Sequence, residues 1–113
     1  MNVTFRQLQV FVEVAKTGNM TRAAEALHLT PPAVSMQVKE IEAQVGLALF
    51  DRAGRAVALS TAGEYFLVHA KKLLAALKEA DDAMARLKRV ERGRLTIGLV
   101  STAKYFVPHL LAR

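Results

Sequence analysis

At 113 residues and 52% hydrophobic composition, the chain has room for one compact domain plus an appendage and enough apolar side chains for a core, which excludes a disordered polypeptide. The lack of cysteine excludes a disulfide framework and thiolate zinc sites and fits a reducing compartment. The net charge is +6, but residues 1–60 carry six Lys or Arg against five Asp or Glu, residues 61–93 seven against five, and residues 94–113 three against none. A head so close to neutral must hold a polyanion by a few aimed contacts, not by a broad basic field. The opening MNVTFRQLQVF lacks a basic segment followed by an apolar one, and no apolar run is long enough to span a bilayer, so a cytoplasmic protein with no membrane partner is expected.

Residues 4–17 read as a first helix. Thr4 and Gln7 form a capping box, Val3 and Leu8 a hydrophobic staple, and Phe5, Leu8, Phe11, Val12 and Ala15 a packing face. Gly18 can close this helix and Asn19 can cap the next, in which Met20, Ala23, Ala24 and Leu27 recur at i, i+3, i+4 and i+7. The small pair Ala23 and Ala24 permits another helix to cross closely. Leu29 plugs the turn, Thr30 is the next N-cap, and Pro31 suits N1, where a missing N–H costs nothing. Val34, Val38, Ile41 and Val45 give the third helix its apolar stripe, and Gly46 can end it. Pro31, Pro32, Ser35, Met36 and Lys39 are left on the outer face. The pattern is a helix-turn-helix whose second helix is exposed and able to enter a DNA major groove.

Leu49-Phe50 and Val57-Ala58-Leu59 read as two short strands around a loop from Asp51 to Ala56, the wing. Arg55 and Arg52 there can touch phosphates or a minor groove, although Arg52 could instead pair with a carboxylate. Thr61 and Glu64 form a second capping box, opening a helix that runs without proline to about Arg89. Phe66, Ala70, Leu73, Leu77, Ala80, Met84 and Leu87 alternate by four and three residues, a seam for self-association in a crossed or antiparallel pair. Lys71, Lys72, Lys78, Arg86, Lys88 and Arg89 form its solvated side. VERGR, residues 90–94, looks like a hinge. Leu95 to Val100 then reads as a buried strand, and Ser101 or Thr102 caps a helix interrupted by Pro108. One strand and part of a helix cannot make a domain, so a chain cut soon after the start of an α/β domain is expected.

The expected fold is therefore mainly α: a winged helix-turn-helix (1–60) with a small β-hairpin wing, a long linker and dimerisation helix (61–90), and a hinge with the truncated start of an α/β effector-binding domain (91–113). Catalysis has no support. His28, His69 and His109 are scattered, no HExxH or paired metal-spaced carboxylates occur, and Ser101 lacks a G-x-S-x-G elbow, so neither metal nor cofactor is expected. A helical protein-interaction module and a nonspecific architectural DNA binder remain as alternatives.

The run FRQLQVFVEVAKTGNMTRAAEALHLTPPAVSMQVKEIEAQVGLALFDR, the wing, and Leu59-Ser60-Thr61-Ala62-Gly63 resemble the N-terminal region of LysR-type transcriptional regulators. The resemblance extends from about Thr4 to the end of the chain. It implies a winged helix-turn-helix dimerised through its linker helix, tetramers on promoter DNA, and a small-molecule coinducer bound by the missing domain. Carried over by position, the DNA-contacting sites fall on Thr21, Thr30, Pro31, Pro32, Ser35, Met36, Lys39, Arg52 and Arg55, and effector contacts of the full-length protein on Ser101 and Thr102. Two positions depart from the family pattern, since many members have glutamine in place of Pro31 and arginine in place of Met36. Neither residue can make the hydrogen bonds it replaces, so thymine-methyl packing, Ser35 and DNA shape should take a larger share of readout. Within the family, LHLTPPAVSMQVKE is similar to regulators of Calvin-cycle carbon-fixation operons.

Overall fold

The computed structural model describes residues 1–53 and 56–97. The elements in chain order are α1 (Phe5–Thr17), α2 (Met20–Leu27), α3 (Pro31–Val45), β1 (Phe50–Ala53), β2 (Ala56–Leu59) and α4 (Thr61–Ile97). They divide into a compact unit from Met1 to Ala76 and a second from Leu77, whose described residues all belong to α4.

Each helix boundary in the first unit has a local cause. Thr4 caps α1 by accepting from the Gln7 N–H, and the Gln7 side chain accepts from the Thr4 N–H, closing the expected capping box. Gly18 ends α1 in the left-handed region at φ 65°, and its carbonyl then accepts from Val57 N–H at 3.1 Å, tying the α1–α2 turn to β2. Asn19 caps α2 through the Arg22 N–H. His28 closes α2 at φ 58°, with its own N–H on the Glu25 carbonyl and the Leu29 N–H on the Ala24 carbonyl. That pairing is a Schellman closure, formed here by a non-glycine residue at a cost of about 1–2 kcal/mol. Thr30 begins α3 immediately afterwards by accepting from Ala33 N–H, and Pro31 and Pro32 occupy N1 and N2.

The core joins α1, α2, α3, the hairpin and the start of α4. Val34, Val38 and Ile41 of α3 are buried as expected, and so are Ala23 and Ala24, which let α2 approach. At the centre the fully buried Phe11 ring meets Phe50 at 5.3 Å and Phe66 at 5.0 Å, the latter edge to face. The packing face of α1 is rotated from the one expected. Phe5 remains 45% exposed, whereas Val10 and Val14 are fully buried. α1 is covered by α2 and α3, and its Phe11 also by the hairpin and α4, so its buried arc is wider than a one-sided stripe and turned away from Phe5.

The hairpin also differs. Its antiparallel register pairs Phe50 with Leu59, Asp51 with Ala58, Arg52 with Val57 and Ala53 with Ala56, so Arg52 belongs to a strand and not to the loop. The expected loop was too long because alternating charged residues on a two-stranded ribbon look like turn residues when read alone. At the start of α4 the cap is Ser60, one residue before the expected Thr61. Its Oγ accepts from Gly63 N–H at 3.0 Å and donates to the Ala48 carbonyl at 2.7 Å, which leaves Thr61 as the first helical residue.

α4 continues past Arg89 to Ile97, through the expected VERGR hinge and into the first residues of the expected strand. A single Gly93 in a helix costs only about 1 kcal/mol, and no proline intervenes before Pro108, so helix propagation prevails there. The rest of the expected strand, with Ser101, Thr102, His109 and the helix start before Pro108, lies outside the described residues, as does Arg55.

Candidate nucleic-acid interface

α3 is held from below by both apolar and polar contacts. Beneath it lies the buried row Val34, Val38 and Ile41. On one flank the Gln7 side-chain amide donates to Gln37 Oε1 at 3.1 Å and to Glu40 Oε2 at 3.2 Å, so the residue that completes the α1 cap also fixes α3 against α1. Near the C-terminal end, Glu42 Oε2 accepts from the N–H groups of Leu49 and Phe50 at 2.8 and 3.4 Å, and Asn2 N–H donates to Gln44. None of these polar supports was foreseen; only the Gln7 position carried a sequence signal, and that for capping alone.

The opposite face of α3 is open. Pro31, Pro32, Met36 and Lys39 are exposed and Ser35 is half-buried, as the periodicity required. No acidic residue lies in the first turn of α1, α2 or α3, so no carboxylate there repels a phosphate. Thr30 is exposed, but its hydroxyl oxygen is engaged by the cap.

Thr21 and Arg52 come together. Both line an open groove of about 590 Å³ with Asn19, Met20, Arg22, Glu25 and Val57, formed between the start of α2 and the hairpin. Among the described residues no carboxylate lies within salt-bridge distance of Arg52, which is exposed on β1. Arg22 was not anticipated here; in sequence it is simply a charged residue on the outer side of a short helix, and only the hairpin's position makes it part of a groove.

The seam on α4 separates into two parts. Phe66 packs on Phe11 and Ala70 has no exposed surface, so both are core residues of the first unit, where Leu67 and Leu74 join them. Leu73, Leu77, Ala80 and Met84 are exposed and Leu87 is half-buried, and Tyr65 and Val68 are exposed as well. The expected basic side is solvated, with a Lys78–Asp82 ion pair at 3.5 Å one turn apart. Among the described residues no group of three or more His, Asp or Glu is arranged to hold a metal ion, and no helix is long and apolar enough to cross a membrane.

A tri-helical head with a capped helix-turn-helix, a following β-hairpin and a long helix defines a winged helix-turn-helix DNA-binding domain. The lysR family of bacterial regulatory helix-turn-helix proteins matches residues 5–64, and the chain belongs to that family. It is 52% identical over 110 residues to the HTH-type transcriptional regulator CfxR of Cupriavidus necator, covering 97% of this chain and 35% of CfxR. It is 46% identical over 112 residues to the RuBisCO operon transcriptional regulator of Allochromatium vinosum, covering 99% of this chain and 37% of the relative. The chain thus spans about a third of the length of these relatives. Its fold matches the crystal structure of the CbnR DNA-binding domain in complex with DNA at a TM-score of 0.71 and 35% identity, covering 75% of this chain and 98% of that one. These similarities are to transcriptional regulators, not to enzymes.

Proposed function

We propose that the chain recognises promoter DNA with α3 in the major groove and the hairpin on the phosphate backbone or minor groove. The observation that carries this reading is the asymmetry of α3, whose inner row is fully buried and whose outer row of Pro31, Pro32, Met36 and Lys39 is left open. Thr21 and Arg52 border one groove with Arg22, which suits them to phosphate contact beside the bases. Arg55, with its place in the sequence beside β1, is assigned the same role.

The working form is a homodimer joined through the outer positions of α4, namely Leu73, Leu77, Ala80, Met84 and Leu87. Full-length protein then assembles into tetramers and takes a small-molecule coinducer in an α/β domain that follows α4, to which Ser101 and Thr102 contribute. The regulated target is a carbon-fixation operon in the bacterial cytoplasm, a reading supported by the similarity to the RuBisCO operon regulator.

Binding of the chain to randomised duplexes and to the promoter region of a RuBisCO operon, each at two salt concentrations, tests the proposal. Enrichment of one duplex sequence is expected, with promoter binding well above random duplex. Equal affinity for all duplexes would make the protein an architectural binder, and no binding would leave α4 as the working part of an interaction module.

A further inference from the structure

The first exposed turn of α3 has very little to hydrogen-bond with. Pro31 and Pro32 at N1 and N2 have no N–H, and the Ala33 N–H is taken by Thr30 Oγ1, which leaves the Thr30 O–H as the one donor at the start of the helix. Gln37 and Glu40 are turned to the Gln7 amide of α1. What remains toward the outside before the exposed Lys39 is Ser35, half-buried, and an apolar row in which Pro32 and Met36 stand one helical turn apart. Met36 is 58% exposed, although a thioether gains nothing from water.

In the major groove the one apolar feature of a base pair is the C5 methyl group of thymine. A methionine side chain is long, unbranched and polarisable, so it can follow such a methyl without needing a fixed hydrogen-bond geometry. We propose that Pro32 and Met36 form a methyl-reading row on α3 that selects thymine at one position in each half-site. The inference rests on α3 entering the major groove. It makes specificity at that position a matter of buried apolar surface rather than of donor and acceptor pairing.

Replacing thymine by deoxyuridine removes the methyl and leaves the hydrogen-bonding edge intact, which isolates the proposed contact. The chain is first used to select a preferred duplex from a randomised pool, and that duplex is resynthesised with deoxyuridine at each thymine in turn. One replacement per half-site should weaken binding about fourfold, the effect of one methyl group kept from water. Met36→Leu should retain this loss, and Met36→Ala should clearly shrink it, because only Pro32 then remains in the row. Because Met36 is exposed, neither substitution disturbs the core. A selected duplex in which no replacement matters, or a loss of equal size in Met36→Ala, overturns the methyl-reading row while DNA binding stands. Failure to select any duplex sinks both readings.

Discussion

The α-carbon of Gly63 lies directly over the backbone carbonyl of Leu49, so a Cβ at position 63 would overlap that oxygen and also crowd the Leu59 side chain. The same carbonyl accepts the Ser60 N–H at 2.9 Å. The first turn of α4 is therefore seated on the backbone between α3 and the hairpin, and that seat brings Phe66 onto Phe11 and Ala70 into the core.

Gly63→Ala should lower stability by about 2 kcal/mol despite the better helix propensity of alanine, because the group in the way is backbone and cannot swing aside. Urea unfolding followed by circular dichroism measures the change. A variant as stable as the parent would mean that α4 can lift off this seat freely.

Glu42 holds the chain between α3 and β1 through the N–H groups of Leu49 and Phe50, both buried residues. Glu42→Ala should cost about 1–3 kcal/mol, the penalty for leaving such a donor unsatisfied. Glu42→Gln keeps an oxygen acceptor and should lose clearly less. Equal losses for the two variants would place the effect of Glu42 in its charge and not in these hydrogen bonds.

The exposed part of the α4 seam predicts the behaviour of Leu77, which is 44% exposed in a single chain. Leu77→Arg would put an unpaired charge into the proposed dimer interface and should weaken association by about 3–5 kcal/mol. Sedimentation equilibrium should then show a monomer at concentrations where the parent is a dimer. Identical masses would remove this face of α4 as the interface. Substitution at Ala70 is no substitute for this test, since that side chain lies in the core of the head.

Arg52 is exposed on β1 and borders the groove with Thr21 and Arg22. Arg52→Ala should reduce affinity for specific and random duplexes by similar factors and make the dependence on log salt shallower by about one unit, as expected for one lost phosphate contact. Fluorescence anisotropy titrations over a salt series read both quantities. An unchanged slope with altered preference at a single base pair would instead assign Arg52 to base readout.

Much of the head could be read along the chain because its signals are local. The caps at Thr4, Asn19 and Thr30, the left-handed closures at Gly18 and Gly46, and the apolar repeat of α3 depend on residues within one or two turns, and each appears where the sequence puts it. The outer face of α3 follows from the same periodicity, so the residues proposed to meet DNA were largely identifiable beforehand. What required the tertiary structure were the relationships between segments distant in sequence. A periodic stripe states which residues lie on one side of a helix, but not what covers them: it could not show that Phe66 and Ala70 belong to the head while Leu73 and Leu77 stay open, or that α1 turns Val10 and Val14 inward and Phe5 outward. Likewise Gly63, Glu42 and the pairing of Arg22 with Arg52 across one groove acquire their roles from backbone and side chains brought near by folding. Local hydrogen bonding and hydrophobic period determine the elements, whereas close packing in three dimensions decides which of their faces remain available for function.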